Sequence, residues 1–165
     1  HEIGHGFDDQ GSRYDGDGNL VDWWTDDDRE RFDELTTALI EQYDGVELDG
    51  IDGHAVNGAL TVGENIGDLG GIAIAHHAYE LSLEGREAPV VDGLTGSQRV
   101  FLGWAQVWRT ATRDEERIRR LAIDPHSPPE LRANVVRNLP EFHAAFDVDE
   151  ADGMWLDPDE RVAIW

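Results

Sequence analysis

Apolar residues recur at helical spacing along most of this chain and at strand spacing almost nowhere. Phe32, Leu35, Leu39 and Tyr43 fall at i, i+3, i+7 and i+11, a stripe that predicts an amphipathic helix packed on a core. Thr25 or one of Asp26, Asp27 and Asp28 is placed to cap it, and the acidic residues suit its positive end. A second helix is predicted around Glu64, continuing through Leu69, Ile72, Ala73 and Ala75 to about Leu83. Gly67, Gly70 and Gly71 would each weaken an exposed helix by roughly 1 kcal/mol relative to alanine, so this one is expected to press closely on a neighbouring helix, the one read at His1 to His5.

A third helix, capped by Ser97, carries Val100, Phe101, Trp104, Val107 and Trp108 on its inner side. Asp114 to Leu121 reads as a short charged helix or an irregular bridge. Ser127 and Glu130 have the spacing of a capping box and Pro128 suits a first helical position. A helix is therefore predicted from Ser127 past Val135 and Val136 to Asn138, where Pro140 stops it. With His1 to His5 also read as helix, the chain is mainly α, with about six helices.

Residues 44–58 and 84–96, rich in Gly with Asp or Pro, are predicted as loops, and Met154 to Pro158 as packing the C-terminus onto the body. One extended segment is expected near residues 12–24, folded around Asp15-Gly16-Asp17-Gly18-Asn19. Alternating Asp, Asp and Asn opens a calcium loop, but the sixth position is Leu20 and the twelfth Asp26, so a turn is the better account.

Composition narrows the possibilities. A chain of 165 residues, 39% of them hydrophobic, suffices for one domain with its own core. No apolar run reaches about 18 residues, so no membrane span is expected. Lys and Arg number 13, all of them arginine, against 36 Asp and Glu, a net charge of −23. That field repels phosphate backbones and argues against nucleic acid as a partner. Cysteine is absent, which excludes disulfides and thiolate chemistry and leaves the compartment open, cytoplasmic or secreted.

The chemistry is concentrated in two places. His1-Glu2-Ile3-Gly4-His5 is a His-Glu-x-x-His pattern, in which i and i+4 imidazoles on a helix face converge on one metal ion. Zinc is the metal such a pair suits. A catalytic zinc takes three protein ligands, so a third is required from elsewhere, with Glu2 placed as general base. Glu64 and Asp68, also at i and i+4, offer a metal carboxylate and an acceptor for the free N–H of His1. Asp8 or Asp9 either serves His5 in the same way or forms a solvated end. His76 and His77 point in different directions and are not expected to be ligands, and His54 reads as a surface loop residue. The second place is His126, locked outside a helix start, where it can donate a hydrogen bond to an oxyanion.

The stretch from His1 to Asp9, together with Leu20-Val21-Asp22-Trp23-Trp24, Gly63-Glu64-Asn65-Ile66-Gly67-Asp68, Phe101-Leu102-Gly103-Trp104-Ala105-Gln106-Val107-Trp108, His126-Ser127-Pro128 and Arg161-Val162-Ala163-Ile164-Trp165, resembles the catalytic domain of the neprilysin family of zinc metallopeptidases. The resemblance runs the whole length, in the family's order, and the lack of cysteine makes the chain more similar to the bacterial branch. It implies a thermolysin-like zincin helical catalytic domain with a short extended hairpin segment, one zinc per chain on His1, His5 and Glu64, and an oligopeptide substrate. It also implies that His126 stabilises the tetrahedral intermediate and that Arg132 binds a substrate carbonyl, beside the catalytic Glu2 and Asp68. Family chains are several times longer, so residues 1–165 are expected to be the C-terminal part of such a domain, lacking the parent's N-terminal region and weakly active alone. The alternative is a non-catalytic helical domain, metal-free in isolation.

Overall fold

A computed structural model describes residues 1–165. Six α-helices are present: α1 Asp26–Tyr43, α2 Gly58–Ser82, α3 Gly96–Val107, α4 Asp114–Ile123, α5 Pro129–Asn134 and α6 Pro140–Phe146. The mainly α expectation holds, and no helix is long and apolar enough to cross a membrane.

α1 starts where Thr25 Oγ1 accepts the Asp28 N–H, with Asp26, Asp27 and Asp28 in its first turn. Its stripe buries Phe32, Leu39 and Tyr43, and Leu35 packs at the margin of the same core. α2 starts with the Asn57 side chain accepting the Leu60 N–H and supplies Val62, Ile66, Leu69 and Ile72 to that core. These two helices form the centre of the molecule. Phe101 of α3 and the Val135–Val136 pair, in a 3-10 turn after α5, close over it.

Several local predictions are corrected. Residues 1–6 form a turn and a short 3-10 helix at Gly4–Gly6 instead of an α-helix. Residues 47–55 form an antiparallel hairpin, β1 Glu47–Leu48 and β2 Ile51–Ala55, instead of a loop. Its turn rests on Gly50 at φ +77°, the left-handed conformation that glycine adopts without steric cost. The segment expected to be extended near 12–24 has only a single Tyr14–Leu20 bridge, around a turn in which Asp15 Oδ1 accepts the N–H groups of Asp17 and Asn19. Thr95, not Ser97, caps α3, in a capping box with Gln98. Ser97 is instead bonded to the buried His76, and Val107 at the end of α3 is exposed. The capping box predicted at Ser127 and Glu130 is not formed. Helix α5 begins at Pro129 without a side-chain cap, Ser127 is turned into the core, and Glu130 bonds Arg117 of α4 at 2.9 Å.

The glycines of α2 explain how the N-terminal segment is seated. Gly63, Gly67 and Gly71 lie on one face, and a Cβ at each would meet Asp9 Oδ1 at 2.6 Å, His1 Nδ1 at 2.9 Å and His1 N at 2.9 Å. Any larger residue would push the N-terminal segment away, so the glycines trade helix propensity for close approach. Gly70 faces Trp165 instead, whose ring also stacks on Phe32 and meets Phe7 and Trp24. The C-terminus thereby returns to the start of the chain.

Candidate active site

On the glycine face of α2, His1, His5 and Glu64 come together. His1 Nε2 lies 3.2 Å from His5 Nε2 and 3.2 Å from Glu64 Oε2, while His5 Nε2 lies 3.6 Å from Glu64 Oε1. The 3-10 geometry at residues 4–6 brings the two imidazoles together as an α-helix was expected to, with their rings edge to face. All three ligand atoms fall within 4.8 Å of one another.

The spacing fits a tetrahedral metal. Bonds of about 2.0–2.1 Å at tetrahedral angles place ligand atoms about 3.3–3.4 Å apart, close to the separations seen. Glu64 Oε2 is fully buried yet receives no aligned hydrogen bond, an unmet acceptor that a cation would satisfy.

Neighbouring side chains orient these ligands. His5 Nδ1 donates to Asp8 Oδ2 at 2.8 Å, which leaves the Nε2 lone pair for a metal. Asp8 is buried, and its other oxygen accepts the backbone N–H groups of Gln10 and Gly11. Of the two aspartates weighed for this task, Asp8 takes it, while Asp9 bonds Gln10. His1 Nδ1 lies 2.9 Å from Asp68 Oδ1, an ion-pair distance with the N–H pointing off the line.

Asp68 itself is 1% exposed and is gripped in bidentate fashion by Arg132, Nε to Oδ2 at 2.7 Å and Nη2 to Oδ1 at 2.8 Å. Burial raises its pKa, and the guanidinium only partly offsets the shift. The Arg132 guanidinium lies 4.1 Å above the Trp108 ring, and its backbone carbonyl accepts Trp104 Nε1–H at 3.2 Å. The tryptophans of α3 are therefore a support for Arg132 as well as core.

His126 is close by, half exposed, with Nε2 3.2 Å from Glu64 Oε2 and Nδ1 2.7 Å from Asp124 Oδ1. Asp124 was not singled out from the sequence. Its spacing was a usable signal, because an aspartate accepting the N–H two residues on makes a local turn, and Asp124 Oδ1 accepts the His126 N–H at 3.0 Å. Burial pushes the Asp124 carboxyl up, but its bonds to the His126 backbone and ring outweigh this and hold it below its ordinary value. A cleft of about 930 Å³ between α3, α4 and α5 opens beside His126 and Arg132, with Trp108 and Arg109 on its wall.

Glu2 is exposed, and none of the side-chain hydrogen bonds or ion pairs around the site includes it. His76 is buried against Ser97 and stacked on Phe101, and His77 is exposed, so neither reaches the cluster.

The hydrogen bond to Asp8 raises the His5 pKa above 6.5, helped by the negative charge of Glu64 and opposed by burial. In the metal-free protein, the protonated ring therefore stabilises the fold below the unfolded value, and that contribution is lost as pH rises through the folded value. Metal binding has the opposite sign because it needs the neutral ring. At a fixed zinc concentration, zinc uptake measured across a pH series is expected to rise with pH as the ring loses its proton, and Asp8→Asn to move the midpoint of that rise down. An unmoved midpoint would remove Asp8 from the site.

Residues 1–162 match the family model described as peptidase family M13. Neprilysin-1 of Caenorhabditis elegans is 46% identical over 171 residues, covering 100% of this chain and 22% of the relative. The neutral endopeptidase of Lactococcus lactis subsp. lactis is 41% identical over 166 residues, covering 100% of this chain and 24% of its own. Among solved structures, the crystal structure of Mycobacterium tuberculosis zinc metalloprotease Zmp1 with an inhibitor is similar with a TM-score of 0.96 at 65% identity. That match covers 100% of this chain and 26% of the other. PepO of Lactobacillus rhamnosis HN001 is similar with a TM-score of 0.85 at 41% identity, covering 100% and 24%. The chain spans about a quarter of the length of these relatives.

Proposed function

The chain belongs to peptidase family M13, and from that premise we propose that it carries the metal-binding and catalytic residues of a zinc endopeptidase that hydrolyses oligopeptides. The observation that carries this is the convergence of His1 Nε2, His5 Nε2 and the Glu64 carboxylate within 4.8 Å, beside His126 and Arg132. Residues 1–165 are then the C-terminal part of a longer catalytic domain whose N-terminal region forms the other wall of the substrate cavity; that the relatives are about four times longer supports the first half of this reading, a longer chain.

His1, His5 and Glu64 would hold one zinc ion. Zinc bound there supplies Lewis acidity, activating water at neutral pH and polarising the scissile carbonyl. The remaining work falls to the chain's own groups. Asp8 and Asp68 fix the imidazoles of His5 and His1. Glu2 takes the proton of the attacking water and passes it to the leaving amine. His126 donates from Nε2 to the oxyanion that develops on the carbonyl carbon's oxygen. With Nδ1–H held by Asp124, donation from both nitrogens uses the protonated ring. Arg132 commits Nε and Nη2 to Asp68, which leaves Nη1 free to bind a substrate carbonyl.

The test is hydrolysis of a quenched fluorescent oligopeptide by the longer protein that contains residues 1–165, loaded with zinc, because residues 1–165 alone are expected to be weakly active. Cleavage that a chelator abolishes and added zinc restores is the expected result. A zinc-loaded protein that cleaves no peptide in a mixed-sequence library would overturn the proposal in favour of a non-catalytic helical domain.

A further inference from the structure

Ser127 and Asn65 are separated by 62 positions in the chain, yet the Ser127 hydroxyl donates to Asn65 Oδ1 at 2.7 Å. Both are buried, at 2% and 1% exposure. Asn65 Nδ2 donates in turn to Thr61 Oγ1 at 3.2 Å, and the Thr61 hydroxyl faces the carbonyls of Asn57 and Gly58 at the start of α2. This is a closed line of hydrogen bonds through the core, anchored at one end on the helix backbone.

What gives the line a use is the identity of the neighbours. Asn65 follows Glu64 and Ser127 follows His126, and consecutive Cα atoms are held about 3.8 Å apart by the peptide bond. A single 2.7 Å bond between Asn65 and Ser127 therefore ties together the two backbone segments that carry Glu64 and His126. The bidentate Arg132–Asp68 pair joins α5 to α2 one turn beyond Glu64, and the Ser127–Asn65 bond is the tie adjacent in sequence to both His126 and Glu64. The His126 ring is half exposed, α5 begins without a side-chain cap, and Asp124 orients the ring from within its own loop. Across the tie, His126 Nε2 stands 3.2 Å from Glu64 Oε2.

We propose that the buried Ser127–Asn65 hydrogen bond is a strut that sets the separation of His126 from Glu64. Ser127 and Asn65 are thereby positioning residues for the peptide hydrolysis proposed above, on which this inference rests. A donor to a developing oxyanion acts only within hydrogen-bond reach of it, and a displacement of about 1 Å is enough to cost roughly 10²-fold in rate. Two buried polar groups merely satisfying each other would affect stability and leave the spacing alone.

The experiment compares Ser127→Ala, Asn65→Ala and the double variant in the zinc-loaded protein. The expected result is a tenfold or greater fall in kcat for each single variant, with KM and zinc content little changed and the double variant no worse than the worse single. The strut is overturned if kcat stays within twofold, if it falls only with the folded fraction, or if the two losses multiply. A crystal structure of Ser127→Ala supplies a readout independent of activity. His126 Nε2 is expected to move away from Glu64 Oε2 by about 1 Å or to lose its ordered position, and an unmoved ring contradicts the strut. If the unsubstituted zinc-loaded protein cleaves no peptide, the endopeptidase reading fails and the strut is judged on that structure alone.

Discussion

Glu2→Gln is expected to lower peptide hydrolysis by about 10²–10⁴-fold, the range spanned by loss of a positioned general base, while zinc stays bound. The amide has nearly the shape of the carboxylate but cannot take a proton. Glu2 stands between the two imidazoles in sequence without joining His1, His5 and Glu64 in the cluster. Its carboxylate is exposed and takes part in none of the ion pairs of the cluster. Kinetics beside metal analysis separate the possibilities. A large fall in kcat at full zinc content identifies Glu2 as the base, whereas activity within tenfold of the original assigns proton transfer to another group.

Asp68→Ala is expected to act on stability and on the metal together. It strips the bidentate partner from Arg132, whose side chain is only 11% exposed, and removing one member of a buried pair costs about 3–5 kcal/mol. At about 2–4 °C per kcal/mol for a domain of this size, Tm is expected to fall by roughly 6–20 °C. Because Asp68 Oδ1 also lies 2.9 Å from His1 Nδ1, zinc affinity is expected to drop by about 10–100-fold. The two effects are measured separately, by calorimetry of the metal-free protein and by competition with a chelator of known affinity. A normal Tm with normal affinity would mean that Asp68 supports neither group.

The helices were legible where burial follows local spacing. The α1 stripe, the helix around Glu64 and the close packing implied by its glycines all emerge from patterns within a few turns. Ends and connections were less legible because distant partners decide them. Ser127 looked like a helix cap and instead bonds Asn65 across 62 positions, which no local pattern announces. The hairpin at 47–55 carried a signal that was passed over, the Asp49-Gly50 pair at its turn, since a short run rich in Gly and Asp reads as loop unless strand pairing is sought on both sides.

For the site, the His-Glu-x-x-His pattern and the Glu64/Asp68 spacing both marked residues that the fold brings together. The helix assumed for the histidines was wrong and the convergence was still right. In a 3-10 turn followed by a tight bend at Asp8, the backbone brings His5 back over α2, and the i, i+4 rule was satisfied by another route. Asp124 behind His126 is announced by local spacing, whereas the support of Trp108 under Arg132 joins distant positions that no local pattern links.

The central claim is that His1, His5 and Glu64 hold one zinc ion. Zinc content by mass spectrometry on the purified protein, beside a Glu64→Ala control, tests it most directly. The account predicts one zinc per chain in the original and its loss in the control. Zinc retained in full by Glu64→Ala, or absent from both after incubation with the metal, would contradict it.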